Sequence, residues 1–360
     1  MVIIKMGKKG FVEIQFNWIF ILVIGGIILV FFIGIAEKQK SVSEVKVSSK
    51  VRSDIKTIFT GAGSSTGTAS IIDLVGKEIS YNCEGYSVEN LNPAQTGISF
   101  SPGKIKGFKV TTWSKDWGMP YRISNFLMVT SPNIKYIMID NSPLAKELNK
   151  SLPPNFLVKG NNKQLLFNKE VIKETNNIKS EGNYRIRFIF FNHDPVGTEG
   201  LLDLTTLDDS DVSAINIVGN SLEGFGELRF YNKVENHWSS VPAGVSYYLG
   251  KESLFAAVFT DDYKSYNCNM QRAFRQMSIV TDIYQIRTNS LIRSYQQSGD
   301  TACATQLSLS LDSLQSTKAN SDRLATSFPS QQEIAQIYQS ASELRSRNNQ
   351  LQRLSCREVY

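Results

Sequence analysis

Apolar positions follow three different rhythms along the 360-residue chain. The first is an unbroken run: Glu13 and Glu37 enclose 23 residues that carry no formal charge. A helix over that run is roughly 34 Å long, enough to cross a hydrocarbon core of about 30 Å. A cleaved secretory signal has a shorter apolar region ending in a small-x-small site, which "IILVFFIGIAEKQK" does not supply. Residues 14–36 are therefore expected to be a transmembrane helix that stays attached, preceded by a basic segment at 1–13. Lys5, Lys8 and Lys9 stand before the span with no acid among them, whereas Glu37, Lys38 and Lys40 nearly balance behind it. That asymmetry predicts a cytoplasmic N-terminus and an extracytoplasmic remainder held at the cell membrane. Val42, Val45, Val51, Ile55 and Ile58 then keep helical spacing, which predicts a stem to about Phe59 with a break around Ser48 and Ser49. "TGAGSSTGT" (60–68) reads as a flexible linker that completes a stem-and-linker region at 37–68.

The second rhythm fills residues 69–267. Runs of β-branched and aromatic residues predict strands at "FKVTTW" (108–113), "KYIMID" (135–140), "YRIRFIFF" (184–191), "SAINIVG" (213–219), "ELRFY" (227–231) and "FAAVFT" (255–260). "SPLAKELNKSL" (142–152) reads as a helix with Ser142 as its cap and Pro143 in its first turn. Strands with short intervening helices place this ectodomain in the α+β or α/β class with a mixed sheet. "YRIRFIFFN" turns from alternating to continuously apolar, as a central strand covered on both faces would.

The third rhythm, at 268–360, has helical spacing throughout and predicts an antiparallel three-helix bundle or coiled coil. Met270, Phe274, Met277, Val280, Tyr284, Leu291 and Tyr295 mark the first helix, and Leu307, Leu311 and Leu314 the second. Pro329 stops the second, and Ser330 with Glu333 makes a capping box for the third. There Ile334, Ile337, Ala341, Leu344, Asn348 and Leu351 follow a heptad, with Asn348 at a core position where an Asn commonly fixes register.

Four cysteines, Cys83, Cys268, Cys303 and Cys356, all fall beyond the apolar run. No CxxC pair and no neighbouring His argue for zinc, so two disulfides are expected in an oxidising compartment. Cys268 opens the first bundle helix and Cys303 lies beyond its far end, roughly 43 Å away, which excludes that pairing if the helix is continuous. The third helix runs parallel to the first, bringing Cys356 to Cys303. The expected bonds are Cys303–Cys356 and Cys83–Cys268.

Charge and motifs narrow the chemistry. The net charge of +6 is concentrated at the N-terminus and in residues 268–360, where ten basic side chains face seven acidic ones. The middle of the chain is nearly neutral, so no nucleic-acid partner is expected. Only His193, in "FFNHDP", and His237 are present; His193 with Asp194 is the one acid–base candidate, against a turn at a strand end. No GxSxG, HExxH, Walker or kinase set occurs, so no catalytic residue is assigned and the chain is not expected to be an enzyme. Gly219, Gly224 and Gly226 do not form GxGxxG and read as loop residues. Asp208, Asp209 and Asp211 lack the Gly and distal Glu of a calcium loop and read as a helix cap. No cofactor or metal is expected. Asn149–Lys150–Ser151 is a glycosylation sequon.

"KKGFVEIQFNWIFILVIGGIILVFF" resembles the class III signal of type IV pilin-like proteins, archaeal ones in particular. The resemblance implies peptidase cleavage after Gly10, with Phe11 as the new N-terminus and Glu13, at its third position, as the acidic residue usually carried at the fifth. Two functions stand ahead of a third, an extracytoplasmic enzyme, which would need a deep pocket lined by His193, Asp194 and other titratable groups. One is a single-pass envelope protein displaying a binding, adhesion or structural domain; the other is a pilin-like subunit assembled through its N-terminal helix. The expected partners are the lipid bilayer and a protein partner, or a second copy met through that helix or the bundle.

Overall fold

The computed structural model describes residues 10–74, 76, 78–89, 91–95, 97–139, 142–159, 162–172, 182–197, 207–235 and 237–360; the side chains of 10–20, 40–48 and 159 lie outside that description. The chain divides into two compact units, Met1–Val51 and Arg52–Tyr360.

Helix α1 (Gly10–Ser64) is one element of 55 residues. The break expected at Ser48 and Ser49 is absent, and the linker expected from residue 60 begins after Ser64. The last turns stay helical because they are held. Ile55 and Phe59 are buried, Phe59 lies edge-on to Tyr86 at 5.3 Å, and the Gly63 carbonyl accepts from Asn125 Nδ2 at 2.7 Å. Such tertiary contacts override the low helix propensity of Gly and Ser.

Strands β1 (Ala69–Asp73), β2 (Ile79–Asn82), β3 (Gly85–Val88), β4 (Ile98–Phe100), β5 (Lys104–Ile105), β6 (Lys109–Gly118), β7 (Arg122–Thr130) and β8 (Ile134–Ile139) come next, then helix α2 (Pro143–Ser151). The chain continues through β9 (Phe156–Lys159), β10 (Asn162–Leu165), β11 (Asn168–Ile172) and β12 (Arg185–Phe191). After a 3-10 turn at Asp209–Asp211 follow β13 (Val212–Val218), β14 (Phe225–Val234), β15 (His237–Trp238) and β16 (Gly244–Leu249). Four helices close the chain: α3 (Lys251–Phe259), α4 (Tyr263–Ser298), α5 (Thr301–Leu324) and α6 (Gln331–Arg353).

Two larger sheets form the body. One has four strands in the order β1-β6-β7-β4. The other has seven: β11, β8, β12 and β13 lie side by side and parallel, β14 joins antiparallel to β13, and β16 and β15 pair with β14. The mixed sheet is thus present. β12 sits at its centre with all seven residues buried, Arg185 and Arg187 as well as the apolar run Phe188–Phe191.

The segment 255–260 corrects the sequence reading: residues 255–259 belong to helix α3, with Thr260 as its C-cap, rather than to a strand. Every residue of α3 from Ser253 to Phe259 is buried. Phe255 packs at 5.1 Å on Trp113 of the four-stranded sheet, while Phe259 packs at 5.6 Å on Tyr136 of the seven-stranded one. A helix buried on all sides has no polar face, so its sequence carries no 3.6-residue period and mimics a core strand.

The last three helices are successive neighbours, with α5 packed against both α4 and α6. Short punctuation sets each end. Asp262 caps α4, Gly299 ends it in the left-handed conformation at φ +80°, Asp300 caps α5, and Ser330 with Glu333 forms the capping box of α6. The expected boundary at 267/268 is not a break in packing. Tyr266 and Phe274 of α4 join the core of Phe100, Trp117 and Phe126, and Tyr338 of α6 meets Phe225 of β14 at 5.4 Å. Asn348 does not pair across helices either. Its side chain accepts from Val359 N at 2.8 Å and donates to Tyr360 O at 3.1 Å, clamping the tail that follows α6.

Candidate functional site

Parallel strands place their loops in a predictable crevice. β8 is flanked by β11 on one side and by β12, which comes later in the chain, on the other, so the connection reverses direction between β8 and β12. In open α/β sheets ligands bind beyond the carboxyl ends of strands at such a reversal. Here the loop after β12 supplies Asn192, His193 and Asp194.

Their geometry answers the acid–base question. Asn192 has φ +57° and exchanges two hydrogen bonds with the Gly219 backbone, donating to its carbonyl at 3.1 Å and accepting from its N–H at 3.0 Å. That pins the end of β12 to the end of β13. His193 Nδ1 lies 2.8 Å from the Phe191 carbonyl, and its ring stands edge-on to Phe190 at 5.4 Å. Asp194 is engaged elsewhere: it accepts from Tyr231 Oη at 2.6 Å, Asn216 Nδ2 at 2.9 Å and Arg229 Nη1 at 3.3 Å. The Tyr231 hydrogen bond, with those of Asn216 and Arg229, holds its carboxyl below the usual range. His193 and Asp194 thus engage different partners, and Asp194 is an ionised latch across β12, β13 and β14.

The remaining polar motifs are also absorbed by packing. Gly219 and Gly226 make room for Tyr248: a Cβ at either would fall 2.2 Å from its hydroxyl or 2.5 Å from its ring. The Tyr248 hydroxyl donates to Ser221 O at 2.9 Å, so this glycine run seats an aromatic side chain. Asp208 makes no side-chain cap. Instead Asp209 meets Lys233 at 2.7 Å, and Asp211 meets the buried Arg185 at 2.8 Å, with Asp261 on the other arm of that guanidinium. Among the described residues no group of three His, Cys, Asp or Glu is placed to hold a metal ion. Asn149 lies in the last turn of α2, where its carbonyl accepts from Lys169 Nζ.

The four cysteines meet as two pairs. Cys303 and Cys356 form a disulfide with Cα atoms 5.7 Å apart, at the start of α5 and just beyond α6. Cys83 and Cys268 are free thiols, which corrects the second expected bond. They are nonetheless neighbours. Cys268 Sγ lies 3.7 Å from Cys83 O and Cys83 Sγ 3.8 Å from Lys264 O, while Arg272 donates to Cys83 O. Burial and the adjoining Cys268 thiol push the Cys83 thiol up to about 12. Each sulfur faces a backbone carbonyl, and a neutral thiol suits that position better than a thiolate.

Gly10 is the first residue of α1, and Phe11 and Glu13 follow it in the same helix. From Ile21 to Gln39 the helix is long and apolar enough to cross a membrane, with a mean hydropathy of 2.3 and none of that window buried. These features define a mixed α/β protein with, among the described residues, one candidate membrane helix near its N-terminus. No protein-family model, curated protein or solved structure matches the chain.

Proposed function

We propose that the chain is a single-pass membrane protein that displays the unit of residues 52–360 on the extracytoplasmic side as a binding or envelope-structural module. The observation that supports this reading is the exposed apolar length of α1. Ile21, Leu22, Ile27, Leu29, Val30, Phe31 and Phe32 are each at least half exposed, an arrangement that water disfavours and a bilayer accommodates. The Cys303–Cys356 bond fits the same side of the membrane, because disulfides persist in oxidising compartments. The bilayer is then one partner, and a protein partner or second copy the other.

Membranes carrying the full chain test the topology. The protein should stay with the bilayer through an alkaline carbonate wash, and protease added to the outer face should remove residues 52–360 and spare the membrane-embedded part of α1. Release by carbonate, or full protection from outer protease, would overturn the proposal.

A second reading, a pilin-like subunit processed after Gly10, draws on the continuity of α1 from its apolar turns to Ile55 and Phe59 in the body's core. N-terminal sequencing of the mature chain separates the two. Phe11 as the first residue favours the subunit, and an intact Lys8 and Lys9 eliminates it.

A further inference from the structure

Helix α4 is apolar on two opposite faces. Met270, Ala273, Phe274, Met277 and Ile292 are buried in the core. On the other side Ile279, Ile283 and Ile286 are 52%, 59% and 63% exposed, spaced four and three apart in an uninterrupted helix. Exposed isoleucines at that spacing form a seam rather than scattered surface residues. With Ile283 at position a of a heptad, Ile279 and Ile286 take position d, Asp282 takes g and Arg287 takes the following e. Gln276, Ser290 and Arg293 continue the stripe in polar form, so the apolar part is confined to about two turns.

The charges decide what this seam fits. In two parallel helices the g residue of one faces the next e residue of the other, so Asp282 of each copy meets Arg287 of its mate, twice per pair. In an antiparallel pair g faces g and e faces e, which sets Asp against Asp or Arg against Arg when the isoleucines are in register. Both side chains are exposed; among the described residues Arg287 donates to the Glu358 carbonyl at 3.4 Å. We infer that the Ile279–Ile283–Ile286 face of α4 binds the same face of a second copy in parallel, with Asp282 and Arg287 selecting that direction. The pairing does not depend on the membrane, although anchoring two copies in one bilayer would raise their effective concentration.

Single cysteines at three positions test it in membranes holding the full chain, in a Cys83→Ser, Cys268→Ser background. In a parallel pair Ile279→Cys, Ile283→Cys and Ile286→Cys each face their own counterpart, so all three should give disulfide-linked dimers under mild oxidation. A crosslink at only one of the three would reveal an antiparallel pair, and none at all would mean the face is not self-associating; either overturns the inference. Charge reversal supplies the second arm. Asp282→Arg or Arg287→Asp alone should cut the crosslinking yield about tenfold, and the double variant should restore it. Failure of the double variant to recover, with its thermal unfolding unchanged, also overturns the inference. The crosslinking readout is independent of topology, so a different membrane orientation would leave it intact.

Discussion

Cys303 and Cys356 are bonded across 53 residues, whereas Cys83 and Cys268, 185 residues apart, lie side by side as thiols. The surroundings of the two pairs differ. Cys303 N is capped by Asp300 at 3.0 Å, Cys356 N donates to Leu351 O at 2.8 Å, and Arg357 N donates to Tyr295 Oη at 2.8 Å. Hydrogen bonds donated by backbone N–H groups thus hold both chain segments of the first pair. Cys83 sits in the turn between β2 and β3, and each sulfur of that pair turns toward a carbonyl. Topology decides which cysteines meet; the direction of each sulfur and an available oxidant decide whether they bond.

The largest break in that comparison would come from opening the closed pair. Cys303→Ser is expected to cost about 2–4 kcal/mol, mainly by freeing a long loop in the unfolded chain. Cys83→Ser should cost under about 1 kcal/mol, since it removes only weak sulfur contacts. Denaturant unfolding of both variants under non-reducing conditions measures the gap, and equal losses would mean that the second pair is also bonded in solution. Next in size is Asn348→Ala, which leaves the Val359 N–H without its acceptor while Val359 itself is fully buried. A loss of about 1–3 kcal/mol is expected in the same assay. A smaller loss would show that the disulfide alone holds the tail.

The last effect appears only at alkaline pH. The Cys83 thiol is raised in the folded chain to about 12, above the ordinary thiol value. A raised pKa means the folded form keeps a proton that the unfolded chain releases, so its contribution is complete below about pH 9 and lost between there and pH 12. The bonded pair has no such titration. Thermal unfolding should therefore show a fall in stability across that window, and Cys83→Ser should reduce it. An unchanged slope would place the alkaline loss elsewhere.

Local signals made parts of this molecule readable in advance. Ser330, Glu333 and Pro329 mark the start of α6 because caps are short-range chemistry, and β12 declared itself through the apolar run at its end, Phe188–Phe191. The parts that escaped depend on distant partners. Helix α3 lacks a polar face because two sheets cover it. The end of α1 is helical because Tyr86 and Asn125 hold it, and Asn348 serves the chain's tail instead of a neighbouring helix. At the candidate site, His193 and Asp194 are adjacent in sequence, but Asp194 is claimed by Tyr231, 37 positions away.

Helix α3 also sets a timescale. Its amides from Leu254 to Phe259 lie between two sheets, and no movement of one sheet alone brings water to them on every side. Their hydrogen exchange should wait for the whole unit to open, whereas the capped ends of α5 and α6 can fray on their own. The segment hardest to recognise from its sequence is thus the one whose exchange rate would report the stability of the whole unit of residues 52–360.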